Sequence, residues 1–404
     1  MKVGIIREGK THSDTRVPLT PKQCRYLVDK YQDLQIFVQP SQERCFSDEE
    51  YQSQGISRRE DMKECELLLG VKEVPIPMLL PKKTYLFFSH TIKKQPYNRE
   101  LLRSILQQKI RLIDYECLHD ERGKRVIAFG RWAGIVGAHN AILTWGRREG
   151  KFNLKPMHEC HDWAEAQTYY QNLPLSNIKL VVTGEGRVAS GASEVLDLMK
   201  IKRISPQAFL EQNFDEPVYT QLAVKDMYRL EGEQNFDESH YYQHPEQYVS
   251  NFDPYTHNAN IMLNGIYWDK RIPAFFSQED MKRKDFTIRV IADVTCDIAP
   301  DSSIPSTIRS SSIANPIYGY DPLSSKETEP FQSHCIDVMA VDNLPNELPR
   351  DASEDFGDQL ITQVWSQLNQ ADSQMIYEGT IAVDGELNKP YEYLKDYVSL
   401  DNGM

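Results

Sequence analysis

An α/β fold, built from two Rossmann-like domains with parallel-sheet cores, is what this 404-residue sequence predicts, on three observations. Short apolar runs alternate with segments whose apolar residues recur at helical spacing, which is the βα alternation of a parallel sheet. The series begins twice, at the N-terminus and again near residue 178. The second start carries a glycine turn directly between an apolar strand and a helix.

The first series runs through "KVGIIRE", "LQIFVQ", "CELLLGVK", "TYLFFSH" and "IRLIDYE", with helical spacing in "TPKQCRYLVDKY" and "NRELLRSILQQ". In "RVIAFGRWAGIVGAHNAILTWGRREG" a short strand passes into a long helix rich in small residues, as a helix crossing between domains would be, and a boundary near residue 130 follows. The second series starts at "IKLVVTGEGRVASGASEVLDLMKIKRIS" and continues through "ANIMLNGIYWD" and "FTIRVIADVT". Between them "LEGEQNFDESHYYQHPEQYVSNFDPYTHN" fits neither template, and its aromatic content predicts an ordered surface excursion. After the strand and helix of "CIDVMAVDNLPNELPRDASEDFGDQLITQVWSQLNQ" too little chain remains for a third domain. The expected division is a discontinuous substrate domain, residues 1–130 plus 343–404, with a dinucleotide-binding domain, 131–342, inserted in it.

A hydrophobic content of 40% spread evenly along the chain can bury a sizeable core. The net charge of -13 argues against a general nucleic-acid or anionic-membrane surface, while leaving room for a local basic pocket. Seven cysteines with no CxxC pair predict a reduced, cytoplasmic setting, and neither export nor membrane insertion is expected.

Two buried-strand runs stop at ionisable residues: one at Lys72, followed by Glu73, the other at His90. In an open parallel sheet the carboxyl ends of neighbouring strands share the ligand-binding edge, so both side chains are expected at one pocket. Singly, a strand-end lysine snorkels and a lone histidine is a rim residue; together they offer two proton-transfer groups of different intrinsic pKa. Arg16, Lys93, Lys124 and Arg125 form a basic set suited to a substrate with several carboxylates, or a solvated rim. "GEGRVA" fits GxGxxG/A at Gly184, Gly186 and Ala189, the string of a dinucleotide turn and also of a structural one. "HECHDW" has ligand-like spacing at His158, Cys160 and His161 but lacks a second ligand pair and reads as a polar loop.

Taken together, "REGKTHSDTRVPLTP", "LGVKEVP", "KTYLFFSHTIKKQ", "GKRVIAFGRWAG", "TGEGRVASGA", "HPEQYVSNF", "LNGIYWD", "IADVTCD" and "VDNLPNELPRDASEDFG" resemble the saccharopine-forming reductases. That family comprises the lysine-ketoglutarate reductase half of aminoadipate semialdehyde synthase and the fungal lysine-forming saccharopine dehydrogenase, both related to alanine dehydrogenase. The resemblance implies Lys72 and His90 as the acid/base pair, with Arg16, Lys93, Gln95, Arg125 and Phe129 around the substrate and Glu73 and Glu116 tuning the pair. It also implies that Lys124, Gly184, Gly186, Arg187, Ser205, Ile266, the stretch Ala292, Asp293, Val294 and Thr295, and Asn343 line the dinucleotide. The expected site is the interdomain cleft, and the expected substrates are saccharopine, lysine and 2-oxoglutarate, with no metal.

The rival expectations are an alanine dehydrogenase-like enzyme, another N-carboxyalkyl amino acid dehydrogenase, and a catalytically dead nucleotide sensor. For the cofactor, the second strand of the glycine-turn domain is read as ending at Ser205 in "LMKIKRISPQAF", with Lys202 and Arg203 nearby and no acidic residue. An acidic residue at that place would bind a ribose hydroxyl, so its absence favours NADP over NAD.

Overall fold

The computed structural model describes residues 1–9, 14–232, 236–368, 370 and 372–399. The chain forms two compact units, one of Met1–Phe129 with Pro349–Met404 and one of Gly130–Leu348. Each is an α/β unit with a Rossmann-like sheet of eight strands.

In the first unit six strands run in parallel: β1 (Lys2–Ile5), β2 (Gln35–Val38), β3 (Ser57–Arg58), β4 (Leu67–Leu69), β5 (Thr84–Phe87) and β6 (Arg111–Asp114). Their spatial order is β6-β5-β4-β1-β2-β3, and strands Thr380–Val383 and Glu386–Leu387 extend the β6 edge antiparallel. Alternate residues of β4 feed different cores: Leu67 and Leu69 pack with Phe356 and Trp365 on one face, Leu68 with Tyr85 and Ile105 on the other. Burial on both faces is why these runs are uninterrupted and apolar. The order reverses between β1 and β4, and ligands bind outside the carboxyl ends of strands at such a reversal. Helix α1 (Pro21–Lys30) is started by a Thr20/Gln23 capping box with Pro at its first turn, and α2 (Arg99–Gln107) buries Leu101, Leu102 and Ile105.

The second unit repeats the device. Helix α3 (Gly130–Glu149) buries fourteen of its twenty residues, Trp132 and Gly134–Gly146, within this unit. It crosses α4 (Arg187–Leu198) so closely that a Cβ on Gly134 would stand 1.9 Å from the Val188 carbonyl oxygen, and one on Gly191 2.0 Å from that of Arg131. The small residues of α3 thus serve this helix contact. The strands are β7 (Lys179–Thr183), β8 (Lys202–Arg203), β9 (Val218–Leu222), β10 (Tyr228–Leu230), β11 (Tyr248–Ser250), β12 (Ile261–Asn264), β13 (Val290–Asp293), β14 (Ile317–Asp321), β15 (Lys326–Thr328) and β16 (Ile336–Met339). The sheet order is β15-β14-β16-β13-β12-β7-β9-β8, so β7, with the glycine turn at its end, lies at the reversal next to β12.

Two local readings change. The second strand, β8, stops at Arg203; Ser205 is the N-cap of α5 (Pro206–Glu211), its hydroxyl oxygen accepting from Ala208 N at 3.1 Å. Serine before proline is a strong helix-start signal, and here it cuts the strand short. The aromatic excursion, of which residues 233–235 lie outside the described ones, contains α6 (Glu238–Gln243) and β11, which pairs antiparallel with β10. Its pieces are too short to display a period, and buried Tyr241, Tyr248 and Phe252 join them to the core of the unit.

Candidate active site

The parallel register β1-β4-β5-β6 brings four strand ends into one row: Ile5 pairs with Leu69, Leu69 with Leu86 and Phe87 with Asp114. The chain leaving these ends carries Glu8, then Lys72 with Glu73, then His90, then Glu116. Lys72 and His90 therefore follow adjacent strands, with Glu8 beside Lys72 across the reversal.

His90 Nδ1 lies 2.6 Å from Glu73 Oε1. With Glu73 ionised, Nδ1–H donates to it and leaves Nε2 as the exchangeable nitrogen. The His90 ring stacks on Phe88 at 6.4 Å, and its backbone takes the left-handed conformation, φ 52°. Such a φ is uncommon for a non-glycine residue and fixes the direction in which the ring leaves the strand. The turn after β5 is held by Asp114, whose Oδ2 accepts from the amide (2.9 Å) and hydroxyl (2.5 Å) of Ser89 while Oδ1 accepts from the Glu116 amide (2.8 Å). Burial pushes the Asp114 carboxyl upward.

The Lys72 bend is clamped by Glu8, which accepts the Val71 amide at 2.7 Å and the Lys72 amide at 2.8 Å on separate carboxylate oxygens. Burial, then the charge of Asp14, pushes the Glu8 carboxyl up to about 8. Asp14 takes a forked contact from Arg16, Nε at 2.9 Å and Nη2 at 2.5 Å. Burial opposes ionisation of Asp14, but the Arg16 charge and hydrogen bonds outweigh it, aided by Lys72, and bring the carboxyl down to about 2. The Arg16 guanidinium lies 4.1 Å above the Phe129 ring, which stacks on Phe356 at 4.5 Å. Glu116 Oε1 faces Lys93 at 3.3 Å and Arg125 at 3.8 Å, while its buried Oε2 has no hydrogen-bond partner among the described residues. Arg125 donates to the Ile127 carbonyl at 3.0 Å and lies 5.2 Å over Phe88. Gln95 sits beyond the His90 turn, accepting from Tyr97 and Tyr397 hydroxyls.

In the second unit Gly184 leaves β7 at φ 92°, and a Cβ there would stand 3.3 Å from Ile266 Cγ2. Gly186 caps α4, and no atom of the described residues lies within 4 Å of where a Cβ would stand. A left-handed first glycine, an open second one and buried Ala189 make a turn that phosphate oxygens can approach, so the residues fit a dinucleotide. Arg187 opens α4. Asp293 is wholly buried in a network with Asn264 (2.9 Å), Thr295 (2.7 Å) and Thr307 (2.6 Å), which ties the ends of β12 and β13 together. Ala292 is wholly buried as well, whereas Val294 and Thr295 are half-buried beyond the strand end. Asn343 starts a short 3₁₀ turn, and Lys124 belongs to the first unit, in the turn closed on Asp120. His158 pairs with Glu347, His161 with Asp162, and among the described residues no group of three or more His, Cys, Asp or Glu could hold a metal.

Residues 4–136 match the family model described as alanine dehydrogenase/PNT, N-terminal domain. Over 97% of its length the chain is 31% identical to alpha-aminoadipic semialdehyde synthase of Arabidopsis thaliana. The matched residues belong to the alanine dehydrogenase/PNT N-terminal domain family, and the chain is homologous to aminoadipic semialdehyde synthase over nearly its whole length. It spans 41% of the Arabidopsis protein. A second relative, saccharopine dehydrogenase [NAD(+), L-lysine-forming] of Candida glabrata, is 24% identical, with 89% of the chain and 91% of that protein covered. A solved L-alanine dehydrogenase shares the fold: TM-score 0.67 at 15% identity, covering 99% of this chain and 100% of that one. Three carboxylates of the candidate site were not foreseen: Glu8, Asp14 and Asp114. Glu8 stands one residue past Arg7, which ends the apolar run of β1, so the strand-end signal points beside it and not at it. Asp14 and Asp114 gave none, because their partners become evident only on folding.

Proposed function

We propose that the protein interconverts saccharopine with L-lysine and 2-oxoglutarate, a reading supported by the Candida glabrata relative, a lysine-forming saccharopine dehydrogenase. The observation that carries the reading is the pairing of His90 with Glu73 at 2.6 Å, on the strand end next to the one that carries Lys72. In the forming direction the ε-amine of lysine adds to the keto carbon of 2-oxoglutarate, water leaves, and the resulting imine carbon is reduced to the secondary amine. A bound nicotinamide dinucleotide supplies the hydride. Lys72 accepts and returns the proton of the amine nitrogen. His90 protonates the carbonyl and then the carbinolamine oxygen through Nε2, with Glu73 stabilising the imidazolium between turns. Arg125, laid against an aromatic ring, holds a substrate carboxylate with Gln95 and Lys93 bordering it, while the fork of buried Arg16 is taken by Asp14. Glu116, with Lys93 and Arg125 facing its Oε1, sets the local charge beside the pair.

For the dinucleotide, NADP(H) is the preferred form. Arg203 donates to Gln221 Oε1 at 2.6 Å, and Gln221 Nε2 donates to the Gly184 carbonyl at 2.9 Å, which brings a guanidinium toward the glycine turn. Ser205, whose oxygen caps α5, gives up that role to Arg203. Seven free cysteines suit a reducing compartment, for which the cytoplasm is proposed.

Oxidation of NADPH with lysine plus 2-oxoglutarate tests the reaction against ammonia plus pyruvate, the mixture suited to an alanine dehydrogenase. Turnover confined to the second mixture overturns the saccharopine reading.

A further inference from the structure

We propose that the inserted segment walls the pocket for the adenine base of the dinucleotide, with Tyr242 as the face on which the base stacks. This rests on the reading of the second unit as dinucleotide-binding. A cavity of about 450 Å³ opens at the β7/β12 reversal, beside Gly184 and Gly186. The chain after β9 contributes Val224 and the chain after β12 contributes Ile266, so the cavity stands at strand ends on either side of the glycine strand. Its remaining wall comes from the insertion, through Tyr241, Tyr242 and Pro245.

Two neighbours in α6 have opposite environments. Tyr241 is buried and packs edge-on to Tyr248 at 5.0 Å, fixing the helix to the core of the unit. Tyr242 is 59% exposed although it lines the cavity, and Tyr267 at the same cavity is 92% exposed. Large exposed aromatic faces at a concave site are what a flat base can cover. The polar lining is acidic: Glu185, Glu238 and Asp269, the last already forked to Arg271 (2.6 and 3.0 Å). Among the described residues no Lys or Arg lines the cavity. A phosphate therefore does not belong inside it, whereas adenine, a neutral ring whose exocyclic amine donates to a carboxylate, does. Glu238 precedes Tyr242 by four residues on α6, so carboxylate and ring share one helix face. The phosphates are left to the open Gly186 end and Arg187, and the base to the insertion.

The test is calorimetric titration of the full chain with ADP-ribose and, in parallel, with its 2′-phosphate, so that a preference for either cofactor form does not mask binding. Tyr242→Ala should weaken the better probe about tenfold, as loss of one base–aromatic stack does. Tyr242→Phe, which keeps the ring, should stay within about twofold of the parent. If the parent binds neither probe, the dinucleotide reading of the unit falls and the proposal with it. If the parent binds and Tyr242→Ala binds equally well, the pocket assignment alone falls. Tyr242 is largely exposed, so its variants should fold, and equal melting temperatures check that.

Discussion

Replacing Arg16 with Gln removes the cation from a pair whose side chains are 3% and 1% exposed and whose forked contact measures 2.9 and 2.5 Å. Asp14 is then a buried carboxylate without its forked partner, and breaking a buried pair from one side costs roughly 3–5 kcal/mol. Removing both charges in Asp14→Asn/Arg16→Gln leaves two neutral groups able to hydrogen-bond, so the double variant should recover about 2 kcal/mol of that loss. The sign of the pH dependence follows from the carboxyl. Its folded value of about 2 lies below the ordinary 3.8, so the stability that it contributes is complete above pH 3.8 and is lost as pH falls toward 2. The shift amounts to about 2 kcal/mol. Denaturant unfolding of the parent, both single variants and the double variant at pH 7, and of the parent and Asp14→Asn down to the lowest pH at which they stay folded, reads all of this. A double variant no more stable than Arg16→Gln would refute the pairing, and a parent-to-Asp14→Asn gap that does not narrow on acidification would refute the pH argument.

Lys72→Met and His90→Gln should each lower turnover by about 10²–10⁴-fold while dinucleotide binding, followed by fluorescence, stays nearly unchanged; a variant keeping most of its turnover is not catalytic. Arg203→Ala should lower kcat/KM for NADPH about tenfold and leave that for NADH nearly as it was. An unmodified enzyme at least as efficient with NADH ends the NADPH preference and leaves the reaction class standing. Glu8, raised from 4.5 to about 8, contributes stability that is complete below pH 4.5 and lost as pH rises through 8. Relative to Glu8→Gln the parent should therefore lose up to about 1.4 kcal/mol per pH unit across that window, and parallel stability curves would disprove the raised carboxyl.

Much of the fold was legible because its signals are local. Strands buried on both faces read as apolar runs, and Lys72 and His90 stand out because charge interrupts such a run at its end. The glycine turn was equally plain: the strand, the two glycines and the helix are contiguous, and the φ of 92° at Gly184 requires the residue found there. Strand order was another matter, since pairing joins segments far apart in the chain and leaves no mark on the periodicity of either. Only the β4-β1 adjacency sets Glu8 against Lys72, 64 positions away, and only the turn after β5 brings His90 onto Glu73, 17 positions away. The placement of β9 between β7 and the two-residue β8 likewise moved the cofactor argument from Ser205 to Arg203, because a strand so short shows no alternation and Pro206 starts a helix at once. The aromatic insertion shows the same division. Its composition foretold order, while its place as a wall beside the glycine turn came from tertiary packing, through buried rings whose partners lie in other segments.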